Sequence, residues 1–223
     1  MGQEFYLDMS EQNISPEGSI KNQAPASGVS FFAITPLKVL VMVGIIVGGC
    51  ILILALSGAF SSEAVAQVNS PQRYDGGGVI FKYPGNWSVT EDGGEVSDGE
   101  VRYLFLETAG DNFVSIQIFR ATEASELSEY TQINSRLLAE EIPLGSYSAS
   151  TFSDMEDKDG IEVIEEHLEM TVFGESIPYK RVYSRKRIGD TIAFIILQVT
   201  IEEYEMVIGG FDQILESLSY DGP

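Results

Sequence analysis

Histidine, cysteine and basic residues are scarce in this sequence, and each shortage excludes a class of function. There is one histidine, His167, and one cysteine, Cys50, so one chain can form neither an intrachain disulfide nor a site with several histidines. Lys and Arg total 13 against 34 Asp and Glu, which gives a formal net charge of −21. A chain this acidic is repelled by nucleic-acid phosphates and by anionic lipid headgroups. We therefore expect no nucleic-acid partner.

The same scarcity leaves little material for chemistry. The sequence offers no Ser/His/Asp or Cys/His arrangement of the kind that activates a nucleophile. The acidic residues are so numerous that no single pair of carboxylates stands out. We predict no catalytic, cofactor-binding or metal-binding residues, and hence no enzymatic activity.

Charge is missing altogether from residues 39–62, a run of 24 residues between Lys38 and Glu63. At about 1.5 Å per residue, a helix of this length spans a hydrocarbon core of about 30 Å. The run predicts a transmembrane helix over residues 37–62. Residues 1–36 are polar and aperiodic, which predicts a flexible tail.

The charge-free run has two other interpretations besides a retained membrane helix. Residues 64–66 (Ala-Val-Ala) match a signal-peptide cleavage pattern, but the apolar run is longer than the usual ~7–15-residue core of a signal peptide. Cys50 follows a loose lipobox, yet the chain stays apolar after it, where a lipoprotein turns polar. The retained helix remains the favoured prediction.

Basic residues near the ends of the run predict its orientation. Lys21 and Lys38 precede it, and the next base, Arg73, follows at a distance. Because positive charge favours the cytoplasmic side, the N-terminus is predicted to be cytoplasmic and the C-terminal domain extracytoplasmic, that is periplasmic, lumenal or extracellular.

Small residues form a stripe along the predicted membrane helix and include a GxxxG motif, which permits close approach of two helix backbones. At about 100° per residue, four of them fall within roughly 60° of one another and the fifth lies beside them. The predicted helix-packing residues are Gly44, Gly48, Ala55, Gly58 and Ala59. The pattern fits a self-dimer or docking onto another membrane protein.

The remainder predicts a linker over residues 63–77 and a folded domain over residues 78–220. Alternating apolar residues predict strands near Val79, Trp87, Val101 and Phe113, followed by a helix over 125–141. Further strands are predicted over 147–152, 161–173, 177–187 and 191–201, and a last helix begins at Tyr204. This order is typical of an α+β domain, in which helices cover an antiparallel sheet.

Two short motifs resemble the PsbP-like domain family. The first is Gly78-Val-Ile-Phe-Lys-Tyr-Pro-Gly-Asn-Trp-Ser88, similar to that family's opening strand and Y-P-x-x-W turn, and the second is the closing segment Phe211-Asp-Gln-Ile-Leu-Glu-Ser-Leu-Ser219. The resemblance covers about residues 76–220. It implies an α-β-α sandwich that acts as a non-enzymatic binding or stabilising module. A membrane helix on the same chain departs from the photosynthetic members of that family.

Bases are concentrated on one predicted strand, where five alternating residues share a face. They are Tyr179, Arg181, Tyr183, Arg185 and Arg187, a candidate patch for docking an acidic partner. The alternative is structural: a turn at residues 174–176 would place acids opposite these bases in a hairpin. The expected pairs are then Glu169 with Arg181, His167 with Tyr183 and Glu165 with Arg185.

The domain also contains two weaker motifs. The acidic run 154–160 faintly resembles a calcium loop, but Met155 falls at the first ligand position, so a solvated acidic turn is favoured. Asn86-Trp-Ser88 is a sequon for N-glycosylation.

Together these features predict a single-pass membrane-anchored accessory or structural subunit. Its extracytoplasmic domain would bind and stabilise a membrane protein complex, with the bilayer and other subunits, or a second copy, as partners. The alternative is a membrane-tethered module that binds a small molecule or a lipid.

Overall fold

The computed structural model describes residues 65–97, 99–108, 110, 112–141, 145–172 and 175–222. The predicted tail and membrane helix lie outside the described residues, and so do Gly44, Gly48, Ala55, Gly58 and Ala59. In the part of the chain that the structure describes, no helix is long and apolar enough to cross a bilayer.

Eleven strands, two α-helices and a short 3₁₀ turn make up the described chain. In order they are β1 (Gln72–Gly76), β2 (Val79–Tyr83), β3 (Ser88–Gly93), β4 (Arg102–Glu107), β5 (Phe113–Arg120), α1 (Leu127–Glu141), β6 (Gly145–Phe152), β7 (Glu156–Lys158), β8 (Ile161–Val172), β9 (Glu175–Ile188), β10 (Thr191–Thr200), the 3₁₀ turn Ile201–Glu203, α2 (Tyr204–Ser217) and β11 (Ser219–Tyr220).

The strands form two antiparallel sheets. The smaller one has the order β1-β2-β11, and the larger one has the order β3-β4-β5-β10-β9-β8-β6. The short β7 pairs with the first residues of β8, and β6 pairs with the later ones. Two meanders therefore meet where β5 pairs with β10 in the middle of the larger sheet.

Two-residue turns close several of these hairpins. Gly77 and Gly78 join β1 to β2, and Asp159 and Gly160 join β7 to β8, all four with positive φ. Turns with two positive φ angles match the twist of the strands they join, and glycine adopts them without steric cost. The acidic run near Asp159 is thus part of a hairpin.

Both faces of the larger sheet are covered, as the side chains of β10 make plain. Phe194 and its neighbours at alternate positions pack with Leu127 and Tyr130 of α1. The residues between them, such as Ile195, pack with α2 and the smaller sheet. Because successive strand residues point to opposite faces, one apolar run serves both cores. The predicted antiparallel sheet with helices on it is confirmed.

The folded region begins earlier than the prediction placed it. Strand β1 lies inside residues 63–77, which we predicted as a linker. Its main apolar contact is Tyr74, whose ring stacks on Phe81 of β2 at a centroid distance of 5.1 Å. One aromatic residue in a mostly exposed five-residue strand gives too weak an alternation to detect.

Candidate functional site

The candidate docking residues on β9 do not form an exposed patch. Arg185 is partly exposed and Arg187 is exposed, but Tyr179, Arg181 and Tyr183 are at most 3 % exposed. Tyr183 packs with Leu127 and Tyr130 of α1, so this face of the strand is the one that α1 covers. The docking hypothesis is therefore wrong for the three buried residues, because exposure is what docking requires.

The alternative pairing predicted for β8 and β9 is also wrong, because the register differs by three positions. The last pair before the turn joins Val172 with Glu175, which leaves residues 173–174 between the strands. His167 consequently lies opposite Lys180 and not opposite Tyr183. An odd shift of register exchanges the two faces of a strand relative to its partner.

Charges of opposite sign still meet across this hairpin, with other partners. Arg181 lies opposite Glu166, and Arg185 lies opposite Glu162. The Arg185 guanidinium contacts both carboxylate oxygens of Glu162 at 3.0 Å. Lys180 reaches the neighbouring carboxylate, Glu165, at 2.9 Å.

Five polar residues form a buried group between α1 and the larger sheet, which we name the Glu166 cluster. They are Ser135, Glu166, Arg181, Tyr183 and Gln198, none of them more than 8 % exposed. The Glu166 carboxylate accepts hydrogen bonds from the Ser135 and Tyr183 hydroxyls, both at 2.6 Å. Arg181 donates to the Tyr183 hydroxyl at 3.2 Å and to the Gln198 carbonyl oxygen. The cluster therefore ties α1 to three strands.

Burial raises the pKa values of two tyrosines on this face, Tyr130 and Tyr183. It raises the pKa of Tyr183 well above its ordinary value, although the charge of Arg181 works in the opposite direction. It also raises the pKa of Tyr130, whose hydroxyl donates to Gln117 and whose ring stacks on Phe194. Both phenols stay protonated and act as hydrogen-bond donors at neutral pH.

The opposite face of the sheet carries α2. Two lysines of β9 contact this helix, Lys180 near its first residue and Lys186 near its last turn. The Lys186 ammonium donates to the carbonyl oxygens of Leu215 at 2.6 Å and Leu218 at 3.1 Å, where a cation complements the helix dipole. Burial lowers the pKa of Lys186. Lys180 lies 3.8 Å from the ring centroid of Tyr204. Burial lowers its pKa, but its hydrogen bond to Glu165 and the neighbouring negative charges outweigh this, so the net shift is upward.

A second buried arginine joins the two sheets. Arg102 of β4 is 5 % exposed and forms an ion pair with Asp92. Its guanidinium group also donates to the Tyr74 hydroxyl at 3.0 Å and to the Gly93 carbonyl oxygen at 2.8 Å. Burial, with the hydrogen bond to Asp92, raises the pKa of Tyr74 to about 12. This contact holds β1 against the edge of the larger sheet.

The first described residues are bound firmly to the domain, and we name residues 65–70 the N-terminal clasp. The Asn86 side chain donates to the Val65 carbonyl oxygen and accepts from the Gln67 amide, both at 2.9 Å. The Ala66 amide donates to the Met206 carbonyl oxygen of α2 at 2.9 Å. Asn86, the residue of the sequon, thus serves to hold the backbone of the clasp.

The clasp continues along α2. The Gln213 side-chain amide donates to the Val68 carbonyl oxygen at 3.1 Å, and the Gly85 amide donates to the Gln67 carbonyl oxygen at 3.3 Å. Residues 65 to 68 therefore follow α2 from its first turn, at Met206, towards its third.

Trp87 of the family-like motif lies in the core. It is 2 % exposed, and its ring and Pro84 border Gly210 of α2, where an added methyl group would lie 2.5 Å from Pro84 and 2.7 Å from Trp87. Trp87 and Pro84 of the motif therefore have a structural role, in the contact with α2.

The Glu166 cluster was not predicted, although one signal for it was present. Gln198 interrupts the apolar run of β10, where a polar residue on a covered face needs a buried partner. Its partners come from β8, β9 and α1, and the wrong register concealed them. In the described ranges, no three His, Cys, Asp or Glu side chains are grouped so that they could hold a metal ion.

Comparison with known proteins identifies similar structures. No protein-family model and no curated protein sequence matches the chain. The chain is similar to the solution structure of cyanobacterial PsbP (CyanoP) from Synechocystis sp. PCC 6803, with 16% identity, a TM-score of 0.46, and coverage of 74% of this chain and 98% of that one. It is also similar to LpqN, involved in cell envelope biogenesis of Mycobacterium tuberculosis, with 10% identity, a TM-score of 0.33, and coverage of 67% and 90%.

Proposed function

We propose that this chain is a single-pass membrane-anchored accessory subunit without enzymatic activity. Its N-terminus is cytoplasmic, and its extracytoplasmic domain, a PsbP-like α-β-α sandwich, binds and stabilises a membrane protein complex. The membrane helix uses its small-residue stripe, including Gly44 and Gly48, to pack against another helix.

The observation that carries this proposal is where the N-terminal clasp begins. The charge-free run ends at Ser62, and Val65 is already hydrogen-bonded to Asn86. A domain joined to an apolar run by so few residues stays next to whatever holds that run. This supports a role at the membrane surface, in contact with neighbouring membrane proteins.

The distribution of charge supports binding as the mode of action. Residues 67–223 carry 29 acids and 11 bases, and two of those bases, Arg102 and Arg181, are buried. The polar groups of the Glu166 cluster bind one another inside the fold. The outer surface is therefore strongly acidic, which suits a partner whose exposed loops are rich in Lys and Arg.

The test is the size of the native assembly. The full chain is extracted from its own membrane in a mild detergent, captured by an affinity tag and separated by native electrophoresis. We expect a large assembly with co-purifying membrane proteins. A free monomer would contradict the proposal, and a monomer that is stabilised by an added ligand would favour the tethered ligand-binding module.

A matched pair of glycine variants examines the helix. Gly48→Leu places a bulky side chain in the small-residue stripe, where helices would approach closely, and we expect the assembled fraction to fall. Gly49→Leu makes the same chemical change about 100° further round the helix and should leave that fraction unchanged. Equal behaviour of the two variants would contradict packing through the stripe.

A further inference from the structure

The connection between the predicted membrane helix and the folded domain is unusually short. The charge-free run ends at Ser62, and the N-terminal clasp starts at Val65, so only residues 63 and 64 lie between them. An extended chain covers at most about 3.6 Å per residue, so Val65 lies within about 11 Å of the end of the run. A tether of this length limits which part of the domain can face the bilayer.

The clasp attaches at one end of the domain. The Ala66 amide binds the carbonyl oxygen of Met206, in the first turn of α2. That turn follows the Ile201–Glu203 turn, which itself begins where β10 ends. The attachment point therefore belongs to the end of the larger sheet at which β10 finishes.

The opposite end of the sheet is far away. Strand β10 starts after the turn at Gly189 and Asp190 and runs for 10 residues. At about 3.3 Å per residue, Asp190 and Ile201 are separated by roughly 35 Å along the strand. The short tether can hold one of these two ends against the bilayer, but not both.

Exposed apolar side chains occur at the attachment end. Four large hydrophobic residues in the described chain are strongly exposed: Val65, at 61 %, and Ile201, at 46 %, belong to this end, whereas Phe152 and Met155 lie at and after the end of β6. The exposed residues Glu202 and Glu205 follow Ile201 closely in the sequence. The exposed apolar side chains favour contact with the interfacial zone of a bilayer. Anionic lipids would repel the neighbouring acids, so the bilayer that suits this end is a zwitterionic one.

We propose that the end of the domain formed by Val65 and the Ile201–Glu203 turn lies against the lipid headgroups of the bilayer, with the Gly189-Asp190 turn pointing away from it. This inference rests on the proposed membrane anchor and adds a fixed orientation to it. The acidic surface available to partner subunits is then the side and the far end of the domain.

The test measures the depth of single-cysteine probes in the full chain. Cys50 is replaced by Ala, and one cysteine is introduced as Ile201→Cys or as Asp190→Cys, with Glu202→Cys as a second position at the near end. Each variant is labelled with a fluorophore and reconstituted in phosphatidylcholine vesicles, some of which contain lipids with a nitroxide on the headgroup. We expect the nitroxide lipids to quench most of the fluorescence at 201 and 202 and to leave the fluorescence at 190 unchanged.

A linker insertion provides the control. Twelve Gly and Ser residues placed between Glu63 and Ala64 add about 40 Å of reach, and we expect them to remove the difference between the two ends. Equal quenching at 201, 202 and 190 without the insertion would overturn the orientation.

Vesicle flotation separates this inference from the proposed function. Vesicles that float without the chain after an alkaline wash would overturn the membrane anchor itself. A chain that floats with the vesicles but shows equal quenching at both ends would overturn the orientation alone.

Discussion

The two faces of the larger sheet are held to their helices by different kinds of contact. On the α2 face, Trp87, Phe211 and their neighbours form a large apolar core. On the α1 face, a smaller apolar core around Phe194 lies beside the buried polar groups of the Glu166 cluster. Apolar packing tolerates small shifts of position, whereas a buried hydrogen-bonded group requires each partner in place.

The two faces therefore have different structural roles. The α2 face carries the N-terminal clasp, through Met206 and Gln213, and so connects the domain to its proposed anchor. The α1 face fixes the position of one helix through partners on β8, β9 and β10. We expect substitutions on the α1 face to cost more stability, and substitutions on the α2 face to depend on shape.

The largest effect is expected from Arg181→Met. The substitution removes the cation that donates to Tyr183 and Gln198 and leaves the buried Glu166 carboxylate without it. Removing one partner from a buried charged group costs about 3–5 kcal/mol. The measurement is urea unfolding of the full chain in detergent, followed by the fluorescence of Trp87, the single tryptophan of the chain.

Two further variants sharpen that result. Arg187→Met removes a base from an exposed position of the same strand face, and surface substitutions of this kind are usually within about 0.5 kcal/mol of neutral. Arg181→Met combined with Glu166→Leu should recover much of the loss, because an apolar replacement leaves no unpaired charge. A loss for Arg181→Met no larger than that for Arg187→Met would show that the cluster contributes nothing.

The next effect concerns alkaline pH. Burial raises the pKa values of Tyr130 and Tyr183 above 10.0, so above that pH the unfolded chain releases protons that the folded chain keeps. The unfolded state then binds fewer protons, and stability falls as pH rises, by about 1.4 kcal/mol per pH unit for each tyrosine. The stabilisation that comes from keeping these protons in the folded state is fully present below pH 10.0 and is lost progressively as the pH rises above it.

Tyr183→Phe tests this dependence. The variant loses its hydrogen bond to Glu166 at every pH, but above pH 10.0 its stability should fall less steeply, by the share of one tyrosine. The measurement is the free energy of unfolding in urea, just below pH 10.0 and about one unit above it. The same slope in both proteins would mean that Tyr183 ionises within the folded state.

The order of elements on both faces was largely predictable, because apolar alternation and turn residues are local signals. The strand over 161–173 and the helix at Tyr204 were predicted to within about two residues of β8 and α2. The strands that escaped prediction, β1, β7 and β11, have two to five residues each, too few for a period to emerge.

The contacts between elements were not predictable in the same way. The register of β8 and β9 depends on where the turn is placed, and an error of three positions moved Arg181 from Glu166 to Glu169. The burial of Arg181 depends on α1, which is distant from it in the sequence. The clasp depends on Asn86, and nothing in its sequon indicates that its side chain binds the backbone of Val65 and Gln67.

The smallest effect distinguishes two adjacent glycines on the α2 face. Both interrupt α2, where alanine is better than glycine by about 0.5–1 kcal/mol. At Gly209 the nearest neighbour of an added methyl group is a Val68 methyl at 3.8 Å, so Gly209→Ala should raise stability by about 0.5–1 kcal/mol.

At Gly210 the same methyl group would lie 2.5 Å from Pro84 and 2.7 Å from Trp87. Overpacking of a core costs about 1–3 kcal/mol, so Gly210→Ala should lower stability by about 1 kcal/mol net, measured by urea unfolding. A gain in both variants would show that α2 can move away from Trp87 without loss, and that the α2 face is less closely packed than its burial suggests.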